Sequence, residues 1–131
     1  MYVSGIVEPI LFILAPQKMR EGVKWEGGQH LPLAPARGTL TAIDVSTGEI
    51  RWQTETEKRM LGTGTMTTAG GLLFYGEQQG LFHAADARTG QILWTARTGG
   101  RVRAPPITYE LDGRQYVAIA AGGALFAYGL K

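Results

Sequence analysis

An all-β chain of repeated, four-stranded antiparallel units is what this sequence predicts, and three observations predict it. The segment GTLTAIDVSTGEIRW, Gly38 to Trp52, returns as GLFHAADARTGQILW, Gly80 to Trp94, displaced by 42 residues at each of its fifteen positions, seven of them identical. Around it run short apolar and β-branched stretches separated by glycine turns, the pattern of hairpin-linked strands. Glycine itself supplies 19 of 131 residues, roughly twice the usual share, which suits a fold with many tight turns. A repeat of this length, with glycine and tryptophan at fixed places, belongs to stacked or radially arranged β-units, typically propeller blades.

Taken in order, MYVSG reads as the second strand of an incomplete blade, with Met1 opening in mid-strand. The apolar run Ile10 to Ala15 follows Glu8 and Pro9 and has no basic segment before it. It is too short for a signal peptide or for a membrane helix of ~20 apolar residues, so it reads as strand. Ala15 to Arg37, rich in glycine and proline, reads as a long loop over one face. The strand pair around Asp44 and Trp52 completes this first partial blade, residues 1–59. GTMTTAG (64–70), GLLFYGE (71–77), GLFHAAD (80–86) and GQILWTA (90–96) make a complete blade within residues 60–99. A third copy occupies 104–129, with Asp112-Gly113 as its first hairpin turn, RQYVAIA as its second strand and GALFAYG as its third. Gly123 and Ala127 match Gly80 and Ala84 at an offset of 43, Gly129 stands where an aspartate is expected, and no fourth strand follows. Residues 100–131 thus form a partial last blade. A propeller closes its sheets into a ring that leaves few open edges, so one whole blade between two incomplete ones is expected to be part of a longer chain.

Bulk composition narrows the function. Hydrophobic content of 44% and charged content of 18% describe a globular chain. The net charge is +2, and the basic residues are scattered apart from Lys58–Arg59 and Arg101–Arg103. Nucleic acid is therefore not an expected partner. Cysteine is absent, which removes disulfides and thiol catalysis but does not locate the protein. His30 and His83 have no clustered partners in sequence and do not read as metal ligands. His83 is expected on a blade surface.

The repeated residues read as structure. Ala42 and Ala84 end a third strand, where a small side chain lets a flat ring approach the backbone. Asp44 to Gly48 and Asp86 to Gly90 form tight turns, with aspartate bonding the amides that follow and glycine accepting positive φ. Trp52 and Trp94 open the fourth strand, where a rigid ring can stack between blades with its indole N–H on a backbone carbonyl.

These motifs, AIDVSTGEIRW and AADARTGQILW, resemble the tryptophan-docking motifs of pyrroloquinoline quinone (PQQ)-dependent dehydrogenases, the quinoprotein alcohol, methanol and glucose dehydrogenases. LGTGTMTTAGGLLFYG and APPITYELDGRQYVAIAAGG are similar to that family's last blades in the same order, so the chain resembles its C-terminal part. The resemblance implies an eight-bladed propeller whose funnel holds PQQ over calcium. It further implies oxidation of an alcohol or aldose sugar in the periplasm, with electrons leaving through a cytochrome or a membrane quinone. There the cofactor carries the hard chemistry, calcium polarises the quinone, and a carboxylate accepts the substrate's proton. The family's calcium-binding glutamate and asparagine and its catalytic aspartate belong to earlier blades.

Two positions depart from the methanol dehydrogenase pattern. Gly62 stands where a tryptophan lies near the cofactor, and Ile6 where an asparagine precedes the long loop. Gly62, Gly64 and Gly123 are the residues expected near the cofactor, because bare backbone can lie against a planar ring; as plain turn residues they would have no such role. The remaining blades of a parent chain are the implied partners, and the isolated segment is expected to be inactive. A non-enzymatic PQQ-like propeller serving as a protein-interaction scaffold is the competing reading. A short protein that completes its ring by self-association is a third.

Overall fold

The computed structural model describes residues 1–15, 18–56, 60 and 62–129. The Lys58–Arg59 pair and the last two residues lie outside the described residues. Twelve strands make up the described structure, and no described helix is long and apolar enough to cross a membrane.

The strands sort into sheets as the repeat requires. β1 (Tyr2–Val7), β4 (Arg37–Ile43) and β5 (Ile50–Thr56) form one antiparallel sheet in the order β1-β4-β5. β6 (Thr65–Thr67), β7 (Leu72–Gly76), β8 (Leu81–Asp86) and β9 (Ile92–Arg97) form a four-stranded sheet in sequence order. β10 (Ile107–Leu111), β11 (Arg114–Ala121) and β12 (Ala124–Gly129) form the third. Asp112 and Gly113, at φ 51° and 72°, make the β10–β11 turn, both in the left-handed region that a type I′ hairpin needs.

One expectation is corrected. Ala15 to Arg37 is not all loop: β3 (Gly28–Pro32) pairs antiparallel with β2 (Ile10–Leu14), with Phe12 opposite His30. Their rings meet edge-to-face at 4.9 Å. The glycines that made the stretch look irregular instead turn the chain back, since Gly22 and Gly27 both hold positive φ. The resulting hairpin is inserted between the second and third strands of the first blade.

Alternation along β7 and β8 sends successive side chains to opposite faces, and each face builds its own core. Leu73, Tyr75 and Ala85 join Leu40, Met60 and Ala87 between the first two blades, with Tyr2 and Trp52 against them. Phe74, Phe82 and Ala84 join Val102, Val117, Ile119 and Ala121 between the second and third, with Phe126 and Tyr128 against them. Each large side chain so buried stabilises the packing by about 1.5–3 kcal/mol. The middle blade is therefore apolar on both faces, which a blade flanked by neighbours must be.

Because the strands alternate in direction, the connections divide between two ends of the blades. The Asp44 and Asp86 turns lie at one end. The β2–β3 hairpin, the approach to β6 and the β7–β8 and β11–β12 turns lie at the other.

Candidate functional site

Both copies of the tight turn fold alike. The Asp44 N–H donates to Glu49 O at 2.9 Å and the Gly48 N–H to Asp44 O at 2.8 Å; forty-two residues on, Asp86 to Gln91 and Gly90 to Asp86 repeat these bonds at 2.9 and 2.8 Å. The carboxylates face the following residues. Asp44 Oδ1 accepts the Ser46 N–H at 2.9 Å and its hydroxyl at 2.6 Å, while Oδ2 meets the Arg51 guanidinium at 2.6 Å. Asp86 Oδ1 accepts the Arg88 and Thr89 N–H groups at 2.8 and 3.1 Å.

The Ser46 hydroxyl and then Arg51 hold the Asp44 carboxyl well below the usual carboxylate range. The Arg88 N–H, first among several causes, lowers the Asp86 carboxyl from its ordinary value. A carboxyl whose pKa is lower folded than unfolded stabilises the fold above its unfolded pKa, near ~3.9, and loses that contribution as pH falls through the folded value. Melting temperature is therefore expected to fall below about pH 4. The Asp44→Asn, Asp86→Asn double variant should show a shallower acid decline, and an unchanged decline would remove these carboxyls as its cause.

The tryptophans occupy matching places. Ala42 lies opposite Trp52 and Ala84 opposite Trp94, and in both pairs a β-bulge follows immediately. Trp52 reaches into the next blade: its indole N–H donates to Ala87 O at 3.1 Å. Its ring lies flat on Gly90, where an added Cβ would come within 2.8–2.9 Å of Cε3 and Cζ3. The Tyr2 hydroxyl donates to the same Ala87 carbonyl at 2.9 Å, its ring 5.9 Å from that of Trp52. Trp94 meets Tyr128 edge-on at 4.9 Å and remains 41% exposed. Trp52 and Tyr2 thus clasp the first blade to Ala87 and Gly90 of the second, while Ala42, opposite the ring, and the Asp44–Gly48 turn shape the strand pair that carries Trp52.

Gly62, Gly64 and Gly123 fall at the opposite end from these turns. Gly62 and Gly64 lie on the approach to β6, the first strand of its blade, and Gly123 lies in the β11–β12 turn. Nothing stands within 4 Å of a Cβ placed on Gly62 or Gly123, so their backbone leaves room for a flat group. Gly64 differs: its Cβ position is taken by Pro105, 2.5 Å away, so its bareness admits the next blade. Ile6 is half-buried on β1 opposite Gly38. Among the described residues no three His, Cys, Asp or Glu side chains gather in one place.

His83 corrects a second expectation. It is buried at 4% exposure rather than lying on a blade surface. Its Nδ1 is 2.8 Å from Thr95 Oγ1, and its ring lies tilted by 34° against that of Tyr75, with centroids 4.9 Å apart. Nε2 lies 3.3 Å from Glu77 Oε1 but out of line for a hydrogen bond. Burial, and then the Glu77 charge, push the Tyr75 hydroxyl up to about 12. Tyr75 and Glu77 also line a cleft of about 420 Å³ shared with Thr54, Thr56 and Gly90. No residue pattern marks this buried polar group, because alternation tells which face a residue takes but not how closely the side chains of adjoining strands cover it.

Residues 15–117 match the family described as glucose/ethanol/alcohol dehydrogenase, beta-propeller domain. The chain is 44% identical over 85 residues to quinoprotein alcohol dehydrogenase PedE of Pseudomonas putida, covering 65% of this chain and 13% of that protein. It is 39% identical over 111 residues to a quinohemoprotein alcohol dehydrogenase of Comamonas testosteroni, covering 82% and 16%. Among solved structures, quinohemoprotein alcohol dehydrogenase ADHIIG from Pseudomonas putida HK5 superposes with a TM-score of 0.78 at 26% identity, over 95% of this chain and 20% of that one. The chain therefore spans less than a quarter of the length of each of these relatives.

Proposed function

The chain belongs to the β-propeller family of PQQ-dependent glucose, ethanol and alcohol dehydrogenases, and on that premise we propose that it supplies wall and clasp segments of such an enzyme rather than its reacting groups. The observation that carries this reading is the Trp52 clasp on Ala87 and Gly90, which joins blades within a chain matched to enzymes along most of its length. In this reading the substrate is an alcohol or aldose sugar, and the enzyme works in the periplasm with a cytochrome or membrane quinone as acceptor. When bound, PQQ with calcium supplies two-electron acceptance. The calcium ligands and the proton-accepting carboxylate come from other blades. Gly62 and Gly123 present bare backbone toward the cofactor, and Gly64, closed over by Pro105, seats the next blade's entry beside them.

A chimera tests this. In a quinoprotein ethanol dehydrogenase, the matching segment is replaced by residues 15–117 of this chain. PQQ- and calcium-dependent ethanol oxidation should survive within about tenfold, roughly 1.4 kcal/mol in barrier. A folded chimera that no longer holds PQQ would contradict the proposal and favour a scaffold role for this chain.

A further inference from the structure

His83 stands on β8 where the first copy of the repeat has Thr41. Thr41 accepts the Gln53 amide at 2.7 Å, a bond between two groups that carry no charge. His83 puts a titratable ring at the matching place, and the side chains of His83 and Glu77 are only 5% and 9% exposed. Nδ1 reaches the Thr95 hydroxyl, which can donate or accept and so suits either state of that nitrogen. Nε2 has no hydrogen-bond partner among the described residues, although Glu77 Oε1 lies 3.3 Å from it. In the neutral ring Nε2 therefore either turns a lone pair toward the carboxylate or points its N–H out of line. Protonation makes both nitrogens donors and turns the same approach into an attraction between opposite charges.

Glu77 has need of that charge. A buried carboxylate is costly unless it is paired, and among the described residues the basic nitrogen within 4 Å of it is His83 Nε2. The other ionisable groups around the pair are fixed in charge or engaged elsewhere. Tyr75, against the ring, stays neutral, its hydroxyl pushed up to about 12. Arg97 lies opposite Leu81 on the same face of the sheet and is always charged. Glu55, across the cleft on β5, meets Arg37 at 3.2 Å. Histidine is the side-chain type that changes charge between about pH 5 and 8.

We propose that His83 and Glu77 form a proton-operated latch on the β7–β8 turn: one proton taken up by the ring closes an ion pair between β8 and the turn, and its loss opens it. The turn hangs from Glu77, whose N–H donates to Leu81 O at 2.8 Å and whose carbonyl accepts the Gly80 N–H at 3.0 Å. Thr98 holds the far side, its N–H and hydroxyl donating to Gly80 O at 2.8 and 3.0 Å. Protons have a way in, since Thr95 is exposed and its hydroxyl touches Nδ1. The latch is present on the acid side of the histidine range and is lost as pH rises through it. It stands on burial and geometry, whichever role the whole chain serves.

Amide hydrogen exchange of the purified 131-residue chain, at about pH 5.5 and about pH 8 and corrected for intrinsic rates, tests this. Protection of the Gly80 and Thr98 amides should be about tenfold greater on the acid side. The Gly122 amide, bonded to Arg101 O in the β11–β12 turn, should not change and serves as the reference. Glu77→Gln keeps the side chain's shape without its charge and should abolish the difference, as should His83→Gln. His30→Gln, on the exposed β2–β3 hairpin, should leave it intact. Three results would overturn the latch: equal protection at the two pH values in the native chain, a difference that survives in Glu77→Gln, or greater protection on the alkaline side. Should His83→Gln fail to fold, the native chain and Glu77→Gln decide the question between them.

Discussion

Replacing Trp52 with alanine is expected to destabilise the chain by about 3 kcal/mol, the low end for a large aromatic removed from a core. The low end applies because the ring is half-buried rather than enclosed. Three things go at once: its contact with Gly90, its packing beside Tyr2, and the indole N–H bond to Ala87 O. The Ala87 carbonyl keeps the Tyr2 hydroxyl, so no buried acceptor is orphaned and the loss stays near that of packing plus one hydrogen bond. Trp94→Ala serves as the internal control. Its ring is 41% exposed, and its loss should be about 1–2 kcal/mol. Urea titrations followed by circular dichroism would give both midpoints, and equal losses would contradict the assignment of Trp52 as the blade clasp.

Gly90→Ala should cost almost as much, about 3 kcal/mol, for two separable reasons. Its φ of 76° lies where an L-residue is penalised by ~1–2 kcal/mol. Its new Cβ would also sit 2.8 Å from the Trp52 ring, closer than non-bonded carbons tolerate. Gly48 isolates the first reason: φ is 77° and nothing lies within 4 Å of its Cβ position. Gly48→Ala should therefore cost only the backbone penalty, ~1 kcal/mol. In a Trp52→Ala background the clash disappears, and Gly90→Ala should fall to the Gly48 value. A cycle in which the two losses simply add would show that ring and glycine do not touch.

The clasp is legible in the amino-acid sequence because it is written as residue types at fixed spacing. Alanine opposite tryptophan, aspartate opening the turn and glycine closing it each meet a local demand, and the sheets follow from them. Composition hides the β2–β3 hairpin. Gly22 and Gly27 look the same in sequence whether they loosen a loop or turn it back into a strand. The burial of His83 is hidden by a different cause: the groups that lie against its ring, Tyr75, Glu77 and Thr95, come from the adjoining strands and turn of its sheet and not from its own strand. Gly62, Gly64 and Gly123 look alike in sequence, yet one faces Pro105 and the other two face open space. Only packing across blades separates them.

If this chain holds blades together while the reacting groups lie on other blades, it should not turn over alone. Dye-linked oxidation of ethanol and of glucose by the purified 131-residue chain, supplied with PQQ and calcium, measures this directly. No dye reduction above the rate of free PQQ with calcium is expected. Sustained turnover that depends on the folded chain, and is lost with the fold in Trp52→Ala, would place reacting groups on this chain and contradict its role as wall and clasp.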